Sequence, residues 1–436
     1  MRRALLLLLV CGCDREWGSH QLALNGDLGN WMTTAALLQS MTAHGGASYN
    51  GYLYSIGGVP PTNEVEMAHP DPQTGMISAW MTGRALPEQK AGIAVAAFNG
   101  YLYVAGGSSS MRNANVSPDV LYAPLASDGT IGTWTYGQTM PTARRGSTAT
   151  AANGYLYVIG GGFGGSCCTN NVWYSQLGAN GAPGAWGQAT LPDNVLRASA
   201  VTNNGYLYVV AGTSGLNARN RVLYAQIGAN GAPGTWTTVT GPWSARRDAA
   251  AVAAGGYLYV MGGTTDSNHP ATSELPDVWK APFNTDGSLG AWATTSAFSN
   301  PRRSLVAAAS GSYLYVFGGV KGNATTSANR LSEVLVAAFA PPPMPDAGST
   351  DGGGGNAGSG GAGGVGGAGG GAGGSGGGVG GSSGGSSGGN PAAGDNREGF
   401  EGCACGAAGR DVPQMALGVV LLVAALVGRR WIHSRK

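Results

Sequence analysis

The clearest pattern in the chain is a short run of alternating tyrosines and aliphatics that recurs six times. It reads NGYLYSIGG at 50–58, NGYLYVAGG at 99–107, NGYLYVIGG at 153–161, NGYLYVVAGT at 204–213, GGYLYVMGG at 255–263 and GSYLYVFGG at 311–319. Alternation of this kind predicts a β-strand, and here both faces are apolar. In the third copy Tyr155, Tyr157 and Ile159 point one way, Leu156 and Val158 the other. Such a strand must be covered on both sides. Four copies follow Asn-Gly, the signature of a two-residue hairpin turn.

The first tyrosines, Tyr52, Tyr101, Tyr155, Tyr206, Tyr257 and Tyr313, step by 49, 54, 51, 51 and 56 residues. Trp31, Trp80, Trp134, Trp186, Trp236 and Trp292 step by 49, 54, 52, 50 and 56. Two independent series with one beat mark an internal repeat. In the third unit GSTATAAN (146–153) predicts strand A, YLYVIGG strand B and NNVWYSQLG (170–178) strand C. After the turn ANGAPG comes strand D, AWGQATLP (185–192). Four-stranded units, each packed between two others, predict an all-β, six-bladed β-propeller over 17–340.

The array begins out of phase. SHQLALNGDLGNWMTTAA (19–36) reads as strands C and D with no A or B before them. At the far end 304–319 supplies A and B, and SEVLVAAF (332–339) is a second candidate for C. The two ends are expected to share one blade, with the source of its strand C left open.

Strand B with its paired glycines, the tryptophan downstream and an arginine just before strand A (Arg145, Arg197, Arg247, Arg303) resemble kelch repeats over about 17–340. Two departures stand out: ANGAPG at 179–184 and 229–234 is longer than the usual turn, and Ala211-Gly212 replaces Gly-Gly. In kelch-like wiring the D–A and B–C connections share one face, and the A–B and C–D turns the other. The first face receives the longer, variable segments, such as 108–118, 162–171, 264–276 and 320–330. Loops on a rigid scaffold concentrate binding residues, so this face is the expected recognition surface.

Charge adds a candidate site there. One positive group precedes most strands A: Lys90, Arg145, Arg197, Arg247 and Arg303, with His44 in the first unit. Such a ring suits bidentate capture of carboxylates or acidic sugars; the alternative is that these groups brace neighbouring strands. Charged residues make up only 11% of the chain, and the net charge is +2. No basic stripe exists, so nucleic acid is not an expected partner. Cys167-Cys168 lies in a B–C loop, either as a vicinal disulfide or as two thiols. No His or second Cys pair stands at ligand spacing, so no metal is expected.

The kelch resemblance implies an enzymatic alternative, because galactose oxidase and sialic acid epimerases use such propellers. A galactose-oxidase copper site needs two His, two Tyr and a Cys near one axis, and only His44 and His269 fall on the loop face. SDGTIGTW (127–134) and TDGSLGAW (285–292) differ in spacing from sialidase Asp boxes and read as Asp-Gly turns. With no nucleophile–base set or phosphate loop, the expectation is a non-enzymatic module for protein or glycan ligands, without catalytic residues or cofactor.

The flanks predict export. Met1-Arg2-Arg3 followed by ALLLLLV has the form of a secretory signal over 1–13. Its end, Val10-Cys11-Gly12-Cys13, resembles a lipoprotein box with Cys13 as acceptor; an ordinary signal is the alternative. Residues 341–398 begin PPPMPD and become almost wholly Gly, Ser and Ala, a composition that stays a flexible linker. An uncharged hydrophobic stretch at 412–428 follows, then Arg429, Arg430, Arg435 and Lys436, which predicts one transmembrane helix with a cytoplasmic tail. With Cys403 and Cys405 just upstream, 399–436 resembles a MYXO-CTERM sorting tail. That resemblance implies a sorting protease and envelope attachment through Cys403; a plain single-pass anchor is the alternative.

Overall fold

The computed structural model describes residues 25–110, 115–163, 168–215, 217–265, 273–322 and 326–340. The signal, linker and tail, with Cys13, Cys403 and Cys405, lie outside them. Among the described residues no helix is long and apolar enough to cross a membrane.

Six four-stranded antiparallel sheets form the blades. Blade one comprises strands A to D at Gly45–Tyr49, Tyr52–Ile56, Val65–Ala68 and Met81–Thr82. Blade three comprises Thr148–Ala152, Tyr155–Ile159, Thr169–Leu177 and Pro183–Val195. Blades two, four and five follow the same plan, with strands A at Ala94–Phe98, Ser199–Asn203 and Ala250–Ala254. Blade six takes A, B and C from Val306–Ser310, Tyr313–Phe317 and Val334–Ala338. Its D strand is Met32–Thr34 from the other end of the chain, registered Met32 opposite Val336. The open question of strand C is thereby answered: it comes from the C-terminal side. At the same place the Ala340 N–H donates to Asp27 O at 2.8 Å, which sets the two ends of the ring side by side.

Each strand A packs beside the strands A of both neighbouring blades, which closes the ring. There is accordingly no single core. Six apolar clusters lie between successive blades. Tyr157 and Ile159 pack toward blade four, Leu156 and Val158 toward blade two, as the two-faced pattern requires.

The two tyrosines of each strand B have separate tasks. The second donates its hydroxyl to a glycine carbonyl in the C–D turn of the next blade: Tyr54 to Gly129 at 2.9 Å, Tyr103 to Gly181 at 3.0 Å, Tyr157 to Gly231 at 2.9 Å and Tyr208 to Gly287 at 2.8 Å. Tyr259 to Gly26 (2.9 Å) and Tyr315 to Gly75 (2.8 Å) complete the circle. Burial pushes these six hydroxyls far above the usual phenol range, so they remain donors. The first tyrosine lies on the same glycine. A Cβ on Gly231, where φ is +77°, would stand 2.3 Å from the Tyr155 ring. Only glycine meets both the left-handed backbone and the aromatic contact.

The tryptophans staple the outer rim in the opposite direction. Trp80 Nε1 donates to Ala35 O, Trp134 to Arg84 O and Trp186 to Gln138 O, at 2.9–3.0 Å. Trp31 reaches Ser296 O at 2.8 Å.

Gly231→Ala should therefore cost more than about 2 kcal/mol, from strain plus overlap with Tyr155. Tyr157→Phe, which removes only the hydroxyl, should cost roughly 1–2 kcal/mol. Urea unfolding of the two variants checks both the sizes and their order.

Candidate functional site

Three residues lead into each strand A, and the structure gives each position a distinct duty. The first position holds Lys90, Arg144, Arg246 and Arg302 in blades two, three, five and six. These side chains are 0–1% exposed. Arg246 donates to Gly262 O at 3.0 Å and grips both oxygens of Asp277 at 2.6 and 2.7 Å. Arg144 donates to Gly160 O at 2.8 Å and to Asn171 at 3.2 Å. Arg302 bonds Gly318 O at 3.2 Å and pairs with Glu333. Burial pulls the Arg144 pKa down to about 10 and lowers that of Arg302 against the opposing Glu333 charge. These groups brace strand B to strand C within one blade. Their carbonyls hold the previous blade: Gly107 N–H donates to Arg144 O at 2.7 Å and Gly263 N–H to Arg302 O at 2.9 Å. A Cβ on Gly106 would stand 2.4 Å from that same Arg144 oxygen, which explains the paired glycines.

The second position holds Arg145, Arg247 and Arg303, each bridged to the residue after the paired glycines. The third position is left-handed in every blade: Ala43, Gly92, Gly146, Arg197, Asp248 and Ser304 have φ between +50° and +62°. That twist turns each N–H toward the preceding blade. Gly92 donates to Ala43 O, Gly146 to Gly92 O, Arg197 to Gly146 O, Asp248 to Arg197 O and Ser304 to Asp248 O, at 2.8–3.1 Å. The result is a backbone chain around the axis, five bonds long.

Inside this chain runs a channel of about 590 Å³ walled by the six strands A. Its lining is mostly Gly, Ala, Ser, Thr and Val, and the charged exceptions gather where the strands begin: Arg145, Arg197, Arg247, Asp248 and Arg303. Arg197 Nη1 lies 3.3 Å and Arg247 Nε 3.7 Å from Asp248 Oδ2, while Ser304 Oγ donates to Asp248 Oδ1 at 3.2 Å. Arg303 Nε stands 3.4 Å from Glu274 Oε1, which also accepts Gly322 N–H at 3.0 Å. Four guanidiniums thus face two carboxylates among the described residues. Asp248 and Glu274 are held in place by the cations beside them.

Of the residues singled out in the sequence, Arg145, Arg197, Arg247 and Arg303 are brought together at the mouth. Lys90 is not; it occupies the bracing position, with its ammonium 2.9 Å from Glu88 and 3.8 Å from Asp119. His44 stands at the channel wall with its ring packed into the seam between blades six and one, 7% exposed. Cys167 lies outside the described residues; Cys168 is buried and accepts Gly215 N–H at 3.1 Å. No cluster of His, Cys, Asp and Glu able to hold a metal exists among the described residues. Sequence offers Glu274 only as a scattered acid of the loop face, with Asp266 and Asp119, and does not mark Asp248 or the division of labour in the doublets Arg144-Arg145, Arg246-Arg247 and Arg302-Arg303. The doublets themselves were the available signal.

The kelch motif matches residues 143–174, which run from the blade-three doublet through strands A and B into strand C. The solved structure of YjhT superposes with a TM-score of 0.55 at 14% identity, covering 70% of this chain and 96% of that one. No curated protein matches the chain at a significant level. The chain is thus a six-bladed β-propeller that carries a kelch motif in its third blade.

The doublets allow a direct contrast. Arg246→Ala, which strips Asp277 and Gly262 O of their buried donor, should cost more than about 2 kcal/mol. Arg145→Ala, at the channel mouth, should cost less than Arg246→Ala. Thermal and urea unfolding of the pair measure this directly.

Proposed function

We propose that the protein is an exported, envelope-anchored recognition module that takes protein or glycan ligands at the loop-face mouth of its channel. The observation carrying this reading is the convergence of Arg145, Arg197, Arg247 and Arg303 on one rim of a channel large enough for a small polar group. Guanidiniums on rigid strand starts are preorganised for carboxylates or acidic sugars. A glycan-array screen of the full chain, repeated with each arginine changed to Ala, tests it. Binding should fall at least about tenfold in the variants with folding unchanged, a loss of roughly 1.4 kcal/mol or more. Retention of binding in all four would move the site elsewhere on the loop face.

A second reading, a carbohydrate-active enzyme, is favoured by Asp248 and Glu274 standing among the arginines. Acid–base work needs carboxyl groups at the site of binding. Glycan turnover followed by NMR, and abolished in Asp248→Asn, would carry this reading over the first.

Export and anchoring rest on the flanking sequence. Processing at Cys403 predicts a mature envelope protein that lacks 412–428 and carries a modified cysteine. Intact-mass measurement of envelope-extracted protein decides between this and a retained span.

A further inference from the structure

The residue after the left-handed position is Ile93, Ser147, Ala198, Ala249 or Leu305 in five blades, and His44 in blade one. His44 sits where the three C-terminal strands of blade six meet the first blade, a contact that no covalent continuity enforces. Its ring lies on blade six: a Cβ on Gly318 would stand 2.5 Å from His44 Cε1, and the Phe317 ring centroid is 6.0 Å away. Both ring nitrogens are sealed from solvent and have no side-chain partner, the Phe317 backbone being the neighbour that favours a proton there. At the same seam the backbone chain around the axis is interrupted, since no bond joins Ala43 to Ser304 among the described residues. The bonds that close this seam include Gly319 N–H to Met41 O at 2.7 Å and Met41 N–H to Leu331 O at 3.1 Å, beside Trp80 Nε1 to Ala35 O at 3.0 Å and the Tyr315 hydroxyl to Gly75 O at 2.8 Å.

We propose that His44 is a proton-sensitive latch, whose protonation loosens the propeller at the seam between blades six and one. A protonated ring would have two buried donors and no counter-ion. The charged groups around it are already engaged. On blade six Arg302, bonded to Gly318 O, pairs with Glu333, and Arg303 faces Glu274. From blade two Lys90, whose carbonyl accepts Gly58 N–H beside His44 Cβ, pairs with Glu88 and Asp119.

Burial pulls the His44 pKa from 6.5 down to about 4, with the Phe317 backbone opposing more weakly. The closed ring therefore holds the neutral form, and an opened seam takes up a proton between those two values. Closure is at full strength above 6.5 and is lost progressively as pH falls toward 4, by roughly 30-fold at about pH 5.

Hydrogen exchange of the full chain at about pH 7 and about pH 5, corrected for intrinsic rates, tests this. Met41 and Gly319 amides should lose protection by about 20-fold from about pH 7 to about pH 5, while Gly161 at the blade three–four seam should not. His44→Leu, which copies blade six, should abolish the difference; His44→Gln serves if the leucine variant does not fold. Acid loosening that is uniform across all seams, or that persists in the variant, overturns the proposal. So does an NMR titration placing the wild-type ring at or above 6.5.

Discussion

One contact recurs at every seam and the ring depends on it: a tyrosine pair from one blade gripping a glycine ahead of strand D of the next. The flat ring of the first tyrosine occupies the space where that glycine lacks a side chain. The hydroxyl of the second then reaches the glycine carbonyl at 2.8–3.0 Å. Blades otherwise meet through apolar faces, and hydrophobic burial alone has no direction. The tyrosine bond supplies one. It fixes how far each blade rotates and tilts against its neighbour, and six repetitions of one fixed step close a circle. At four of the six seams a tryptophan fastens the rim with the opposite polarity, so those seams are held at two radii.

Much of this was legible in the sequence because it is local and repeated. The two-faced strand, the Asn-Gly turn and the matching tyrosine and tryptophan steps need only a short window, and the six blades follow from them. What the tyrosines touch was not legible. Their glycines lie 74 to 79 residues ahead in four blades and 240 residues back in the sixth. The turns were read as ordinary Asp-Gly or Ala-Pro-Gly connections, whereas each is also a socket. The closing blade was readable to within one strand, since two segments fitted strand C equally well. Pairing of Val334–Ala338 with both Tyr313–Phe317 and Met32–Thr34 decides between them.

The site was legible in kind but not in register. A positive residue before strand A can brace or can bind, and sequence offered both for the same residue. In the structure the bracing position and the channel-lining position fall on adjacent residues. Arg246 is wholly buried against Asp277, while Arg247 lines the channel beside Asp248. What separates them is a left-handed residue one place further on. That residue is glycine only in blades two and three, so it leaves no consistent trace. Asp248 and Ser304 occupy such strained positions, and their side chains meet Arg197 and each other at the mouth.

The adjacency of Asp27 and Ala340 also has a mechanical meaning. Tension applied through either end enters the propeller at one spot in blade six. The two routes are unequal. A pull on the chain beyond Ala340 draws on Val334–Ala338, a strand flanked on both sides, so two rows of hydrogen bonds must shear together. A pull on the chain before Asn25 draws on Met32–Thr34, an edge strand with three paired residues on one side. A propeller held from its C-terminal side therefore hangs from the stronger of its two handles.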